Sequence, residues 1–82
     1  MTEQQLNHEL GQRIRTIRKA RKIRQGYVAK SIRMTRASIA NIEAGRTNVL
    51  MWRLAQMAVA LGVEPWQIMH PDWRTLCMIP QP

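Results

Sequence analysis

Among its 82 residues this sequence has one cysteine, no phenylalanine, four glycines and four prolines. A single cysteine cannot form an intrachain disulfide, so packing must hold the fold, which suits a reducing cytoplasm. So few glycines and prolines exclude collagen-like and low-complexity chains. Hydrophobic types make up 45% of the chain, which is enough for one small core and no second one. We therefore expect a single folded domain.

Long apolar runs and catalytic clusters are also missing. The longest apolar runs, residues 49–52 and 57–61, are far shorter than the ~20 residues of a membrane span. The polar N-terminus is unlike a signal peptide, so we expect a soluble cytoplasmic protein. The five acidic residues stand singly, there is no glycine-rich phosphate loop, and His8, His70 and Cys77 lack spaced partners. We expect no enzyme, no cofactor and no metal site.

Negative charge is scarce, with five acidic residues against thirteen Lys and Arg, for a net charge of +8. Twelve of the thirteen cations lie between residues 11 and 53, where Glu43 is the sole anion. This asymmetry indicates one basic face that meets a polyanion, either nucleic acid or a membrane surface. The alternative is a solvated helix face that keeps the protein soluble.

The apolar spacing predicts an all-α chain of five helices over about residues 4–21, 25–32, 36–44, 49–61 and 65–69. Thr35 is expected to cap the third helix, Pro65 to begin the fifth, and Gly45 and Gly62 to end the third and fourth. These helices make residues 1–70 one domain, and the proline-rich residues 71–82 an arm or short strand. The residues expected to face inward are Leu6, Leu10, Ile14, Ile17, Val28, Ala29, Ile32, Ile39, Ile42, Met51, Leu54, Met57, Ala58 and Leu61.

The second and third helices, joined by a tight turn at Arg33 and Met34 within the basic stretch, have the outline of a helix-turn-helix. The second helix of such a pair fits a DNA major groove. The surrounding cations would neutralise phosphates and release counterions. The pattern therefore favours nucleic acid as the polyanion, and a basic amphipathic membrane binder is disfavoured because the cations span several helices.

Three segments resemble the Cro/repressor (XRE-type) helix-turn-helix family. Residues 23–29 (IRQGYVA) resemble its L-T-Q-x-x-L-A opening, and residues 35–45 (TRASIANIEAG) resemble its S-x-x-x-I-x-x-I-E-x-G recognition segment. Residues 58–63 (AVALGV) resemble the A-x-A-L-G-V end of its fourth helix. The resemblance covers about residues 10–69 and implies a five-helix domain that binds operator DNA, usually as a dimer. The third helix would then be the recognition helix.

The resemblance also implies a role for each matching residue. Arg36, Ala37 and Asn41 fall at base-facing positions, and Arg18 and Glu43 match a partly buried ion pair. Gln25 would bond a phosphate. The full set of residues expected near phosphates is Arg24, Gln25, Arg33, Thr35, Ser38, Arg46, Thr47 and Asn48.

The chemistry of the base-facing residues agrees with this assignment. Arg36 can donate two bonds to guanine, Asn41 can pair with adenine, and Ala37 can pack on a thymine methyl. The alternatives are a phosphate clamp for Arg36, contact with backbone or water alone for Asn41, and an ordinary surface charge for Glu43.

The sequence departs from the family pattern at three helix boundaries. Arg24 stands where Ser or Thr usually caps the second helix, a loss of about 1 kcal/mol. Arg33 and Lys22 replace glycines, and a left-handed backbone at either would be strained by roughly 1 kcal/mol. We hypothesise that all three exchange local stability for contacts with phosphates.

A further departure is an apolar surface on the fourth and fifth helices. Leu50, Trp52 and Val59 fall where the family is often polar, and such surfaces are enriched in interfaces. We expect a homodimer interface, although these residues could instead fold onto one another to complete a small core. A second alternative is an antitoxin-like module whose arm or aromatic face binds a protein partner such as a toxin. The expected dimer residues are Trp52, Val59, Trp66, Trp73, Leu76 and Ile79.

Overall fold

The computed structural model describes residues 2–69, which form five α-helices and no strand. The all-α expectation is confirmed, with helix limits within about two residues of those expected. The arm and its residues Trp73, Leu76 and Ile79 lie outside the described residues, as do His70 and Cys77. The helices are α1 (Glu3–Ala20), α2 (Gln25–Ser31), α3 (Arg36–Glu43), α4 (Met51–Leu61) and α5 (Pro65–Ile68).

Three of the helices begin with a side-chain capping bond, which at α5 is donated by the Glu64 N–H to Gln67 Oε1 at 2.8 Å. The Thr35 hydroxyl accepts a bond from the Ser38 N–H at 3.1 Å, as expected at the start of α3. At α1 the sequence reading missed a reciprocal capping box, in which Thr2 and Gln5 bond each other's backbone N–H. At α2 the N-cap is Arg24, and within the described residues its side chain makes no capping bond. The first turn of α2 therefore lacks the ~1 kcal/mol that a capping side chain provides.

Helices α1 to α4 all end in the same way, with a left-handed residue after the last turn. The residue beyond it donates its N–H back into the helix, as Met34 does to the Ala29 carbonyl at 2.8 Å, which is the Schellman arrangement. Glycine occupies the left-handed position after α3 and α4, but a cation occupies it after α1 and α2. The left-handed residues are Lys22 (φ 58°), Arg33 (φ 56°), Gly45 (φ 75°) and Gly62 (φ 73°).

The core is formed by one face of every helix, and α3 packs against both α1 and α2. Most of the residues expected inside are there, but Met51 is not, since it is 68% exposed. Met51 is the first residue of α4, two residues later than expected, whereas Val49 before it packs against the core. Leu6 is half-buried near the start of α1 and lies outside the core cluster. The largest fully buried side chains are Ile14, Val28, Ile39, Met57, Leu61 and Ile68.

The crossing of α1 and α3 is close enough to require glycine at position 11. An added Cβ at Gly11 would lie 2.5 Å from the Glu43 carbonyl oxygen and still nearer to that of Ile42. Glycine inside a helix costs about 1 kcal/mol relative to alanine, and this contact explains its presence. The sequence offered one signal, a glycine within an otherwise regular apolar stripe, and that signal was missed.

Replacing Arg33 with glycine tests the exchange of stability for phosphate contacts. Arg33→Gly should raise the free energy of unfolding by about 1 kcal/mol, because glycine adopts a left-handed backbone without strain. Lys22→Gly should give a similar gain at the end of α1. Urea unfolding measures both gains, and titration of a DNA duplex measures affinity, which should fall for Arg33→Gly. A gain in stability with no loss of affinity would contradict the hypothesis.

Candidate nucleic-acid interface

Helix α3 is anchored by one face and exposed on the other. Ile39 and Ile42 are buried in the core, while Arg36, Ala37 and Asn41 are exposed. At 3.6 residues per turn these three exposed side chains fall on one side of the helix, away from the isoleucines. The structure therefore brings the three expected base-reading residues together on one accessible face.

A buried polar network joins α3 to α1 and α2. The Arg18 guanidinium donates from Nε to Glu43 Oε2 at 2.7 Å and from a terminal nitrogen to Oε1 at 3.0 Å. A third bond from this guanidinium reaches the Ile23 carbonyl, and Gln25 Nε2 donates to Glu43 Oε1 at 3.1 Å. The side chains of Arg18 and Glu43 are only 11% and 4% exposed. Glu43 is therefore an internal ion-pair partner, and not an ordinary surface charge.

Gln25 lies at the start of α2, beside this network. One of the two N–H groups of its amide is used by Glu43, and the second has no partner among the described residues. This second N–H is the group that can donate to a phosphate. The expected contact between Gln25 and a phosphate stays a prediction.

Arg53 of α4 holds the end of α2, a role that sequence reasoning missed. Its guanidinium donates to the Ile32 carbonyl at 2.7 Å and to Gln56 Oε1 at 3.1 Å, and it lies 4.3 Å from the ring centre of Trp52. Ile32 is the last residue before the left-handed Arg33. This cation therefore belongs to the support of the turn between α2 and α3, and no sequence signal distinguished it from the other arginines.

A concavity of about 610 Å³ lies beside the start of α3 and is called here the arginine pocket. Its walls come from α1, the start of α2 and the first residue of α3. It brings together three expected contact residues, Arg24, Gln25 and Arg36, with two residues of α1. It is lined by Arg15, Arg18, Arg24, Gln25 and Arg36.

A second cleft, of about 290 Å³ and called here the polar cleft, lies between α3 and the loop that leads to α4. Ser38, Asn41, Thr47 and Asn48 all line it, so four of the expected contact residues converge there. The Ser38 hydroxyl is 2.9 Å from that of Thr35, and Arg46 donates to Asn41 Oδ1 at 3.5 Å. Arg53 and four apolar residues also line this cleft. The face of α3 is therefore flanked by the arginine pocket on one side and by a cleft of mixed character on the other.

The apolar face expected on α4 and α5 is exposed to solvent. Trp52, Val59 and Trp66 are 54%, 81% and 62% exposed, and Leu50 and Met51 adjoin them at the start of α4. Within residues 2–69 these side chains do not close into a core of their own. Trp73, Leu76 and Ile79 were expected beside them but lie outside the described range.

Two further properties concern sites of other kinds. Residues 2–69 contain no group of three His, Cys, Asp or Glu side chains placed to hold a metal ion. In the same part of the chain, no helix has both the length and the apolar character that crossing a bilayer requires.

Comparison with known proteins decides the family. A family model described as a helix-turn-helix domain matches residues 9–68. The chain belongs to the Cro/repressor (XRE-type) helix-turn-helix family. Members of this family are DNA-binding transcription regulators and not enzymes. The chain is 40% identical over 55 residues to the immunity repressor protein of Bacillus phage phi105, a match that covers 67% of the chain but only 38% of the phage protein.

Solved structures of this helix-turn-helix family show the same fold. The restriction-modification controller protein of Aeromonas hydrophila superposes with a TM-score of 0.74 at 28% identity, over 77% of this chain and 96% of that one. A hypothetical transcription factor from Neisseria gives a TM-score of 0.75, also at 28% identity, over 95% and 91% of the two chains. The fold is thus shared by separate regulators.

The ion pair between α1 and α3 can be tested with a double-mutant cycle. Glu43→Met and Arg18→Met should each lower the free energy of unfolding by about 3 kcal/mol, because each leaves one buried charge unpaired. The double variant Arg18→Met/Glu43→Met should lose less than either single variant, since neither charge remains. Urea unfolding measures all three.

Arg21→Met is the matched control for this cycle, because Arg21 is an exposed cation that follows the same helix. Its effect should stay within about 0.5 kcal/mol. Additive losses in the double variant would show that the two charges do not depend on each other.

Proposed function

We propose that this protein is a sequence-specific DNA-binding regulator, acting as a repressor, that binds a pseudo-palindromic operator as a homodimer through the major groove. The observation that carries the proposal is the exposed face of α3, where Arg36, Ala37 and Asn41 lie between the arginine pocket and the polar cleft. A helix inserted into a major groove has one sugar-phosphate backbone on each side. The two flanking surfaces are where those backbones would lie.

Base recognition falls to the three exposed residues of α3. Arg36 is the first residue of the helix, the end that a recognition helix presents to base edges. Its guanidinium can donate two bonds to guanine O6 and N7, and the Asn41 amide can pair with adenine N6 and N7. Ala37 between them offers a methyl group for contact with thymine.

Backbone contacts fall to the residues around α3. Each phosphate that a cation neutralises releases counterions from the duplex, which strengthens binding at low salt. Hydroxyl and amide side chains hold the register on the backbone without reading sequence. We assign this role to Arg24, Gln25, Arg33, Thr35, Ser38, Arg46, Thr47 and Asn48.

Repression is supported by the nature of the relatives. The phage relative is an immunity repressor, and the Aeromonas relative is a restriction-modification controller. A small domain that covers an operator blocks other proteins from the same DNA, so repression requires no additional activity. The proposal places the protein in a prokaryotic or phage-infected cytoplasm, where its operator would be.

The homodimer is proposed from the apolar face. Trp52, Val59 and Trp66 are each more than half exposed, exposed apolar patches mark interaction sites, and tryptophan is enriched at the centres of interfaces. A two-fold dimer would place two recognition helices about 34 Å apart, one DNA turn, on a pseudo-palindrome. In the antitoxin-like alternative the same face would bind a different protein. An experiment must therefore decide whether a second copy of the chain or another protein binds there.

Removal of a base-reading side chain and removal of a phosphate-binding side chain should lower the DNA affinity in different ways. After selection of a preferred site from random oligonucleotides, Arg36→Ala should flatten the preference at one base position by about 1–3 kcal/mol. Arg46→Ala should weaken binding to selected and random duplexes alike and lower the slope of log K against log salt by about one unit. Fluorescence anisotropy at several salt concentrations measures both. Equal losses on both duplexes for both variants would overturn this division of roles.

Dimerisation is tested by placing a charge on the apolar face. Trp66→Glu should raise the dimer dissociation constant by more than about tenfold, because it buries a carboxylate where an aromatic side chain packed. Gln12→Glu is the control, since it introduces the same side chain at an exposed position of α1. Sedimentation equilibrium gives the dissociation constants. A wild-type protein that stays monomeric at high micromolar concentration contradicts the homodimer and leaves the protein-partner alternative.

A further inference from the structure

We propose that the arginine pocket is a clamp for one DNA backbone phosphate, with Arg15 of α1 and Arg24 as the residues that hold it. The proposal rests on the proposed function and adds α1 to the DNA-binding surface. Nothing in the sequence pattern distinguished Arg15 from the other cations of α1.

The charges in the pocket favour the binding of an anion. Four arginines line it, and Glu43 is committed to Arg18 through two hydrogen bonds. Within residues 2–69 no carboxylate pairs with Arg15, Arg24 or Arg36. Three guanidinium groups that share one concavity repel one another, and a bound phosphate would replace this repulsion with attraction.

The position of Arg15 follows from that of Arg18. Residues three apart on a helix lie on the same side, and the bonded guanidinium of Arg18 fixes which side of α1 faces α2 and α3. Arg15 is therefore directed to the same pocket one turn earlier. Its side chain is exposed and makes no hydrogen bond or ion pair within the described part of the chain, so a folding role does not account for it.

Arg24 lines the pocket from the start of α2. It occupies the N-cap position of α2, where its side chain provides no capping bond within the described residues. A planar guanidinium can present two parallel N–H groups to phosphate oxygens. Arg15 and Arg24, on separate elements, can therefore approach one phosphate from two directions. A phosphate contact would explain why Arg24 occupies the N-cap position of α2 although its side chain does not cap the helix.

The location of the pocket identifies the phosphate as part of DNA. Arg36 forms the pocket wall at the start of α3, while the polar cleft with Thr47 and Asn48 lies along the same helix at the other side. When α3 occupies the major groove, the pocket faces one strand and the cleft faces the other. The clamp would hold the strand nearest the first base read by Arg36.

The test compares Arg15→Ala with Arg21→Ala on selected and random duplexes from about 50 to 200 mM KCl. Loss of one phosphate contact lowers the slope of log K against log salt by about 0.9. Over this fourfold salt range the wild type should therefore lose about 3.5-fold more affinity than Arg15→Ala does. Both duplexes should be affected by the same factor, because a phosphate contact carries no sequence information.

Arg21→Ala removes the same charge from the end of α1, but the Arg21 guanidinium lies beside Gly62 at the end of α4, so its slope should stay at the wild-type value. Arg15→Lys should restore the slope, because lysine carries the same charge. The affinity at low salt should recover only in part, because lysine cannot form the bidentate contact that arginine makes with phosphate. Thermal unfolding confirms that each variant is folded.

An unchanged slope for Arg15→Ala, or an equal change for Arg21→Ala, would overturn the clamp. A wild type that binds selected and random duplexes equally would instead overturn the proposed sequence-specific function. The salt slopes on random duplexes would still decide the clamp, so the two failures are distinguishable.

Discussion

The bonded cluster of Arg18, Glu43 and Gln25 is the interaction on which the geometry of the proposed DNA surface depends. It joins the three helices that surround the surface, since each residue comes from a different one. A buried ion pair adds little net stability, because desolvation of the two charges offsets their attraction. Its effect is on orientation, since any other position of α3 would leave one of these charges buried and unpaired. The close approach of Gly11 to the backbone of α3 restricts the same crossing.

The fold divides a nearly continuous run of cations into groups with different tasks. Arg18 and Arg53 are used internally, one on Glu43 and the other on the carbonyl that ends α2. Arg15, Arg24 and Arg36 converge on the arginine pocket without a counter-charge among the described residues. Lys22 and Arg33 occupy left-handed positions that favour glycine. Net charge alone therefore overstates the number of cations available to a polyanion.

Much of the fold was predictable because it depends on local rules. Apolar spacing, Thr35 as a cap and glycine after α3 and α4 are short-range signals, and the expected helices follow them. Met51 was placed wrongly because helical spacing does not reveal whether a neighbouring element covers the first turn. Leu6 was also expected inside but is only half-buried. The apolar stripe of α1 continues beyond the part of the helix that the core covers.

The sequence by itself determined that the chain is all-α, that α2 and α3 form a helix-turn-helix, and that the domain is strongly basic. These properties follow from periodicity, capping chemistry and composition, which act over a few residues. Only the tertiary structure decided that Gly11 is needed at a helix crossing, that Arg53 supports the turn, and that Arg15 shares a pocket with Arg24 and Arg36. Such relations join residues that are distant in the chain, and their distances depend on how whole helices pack.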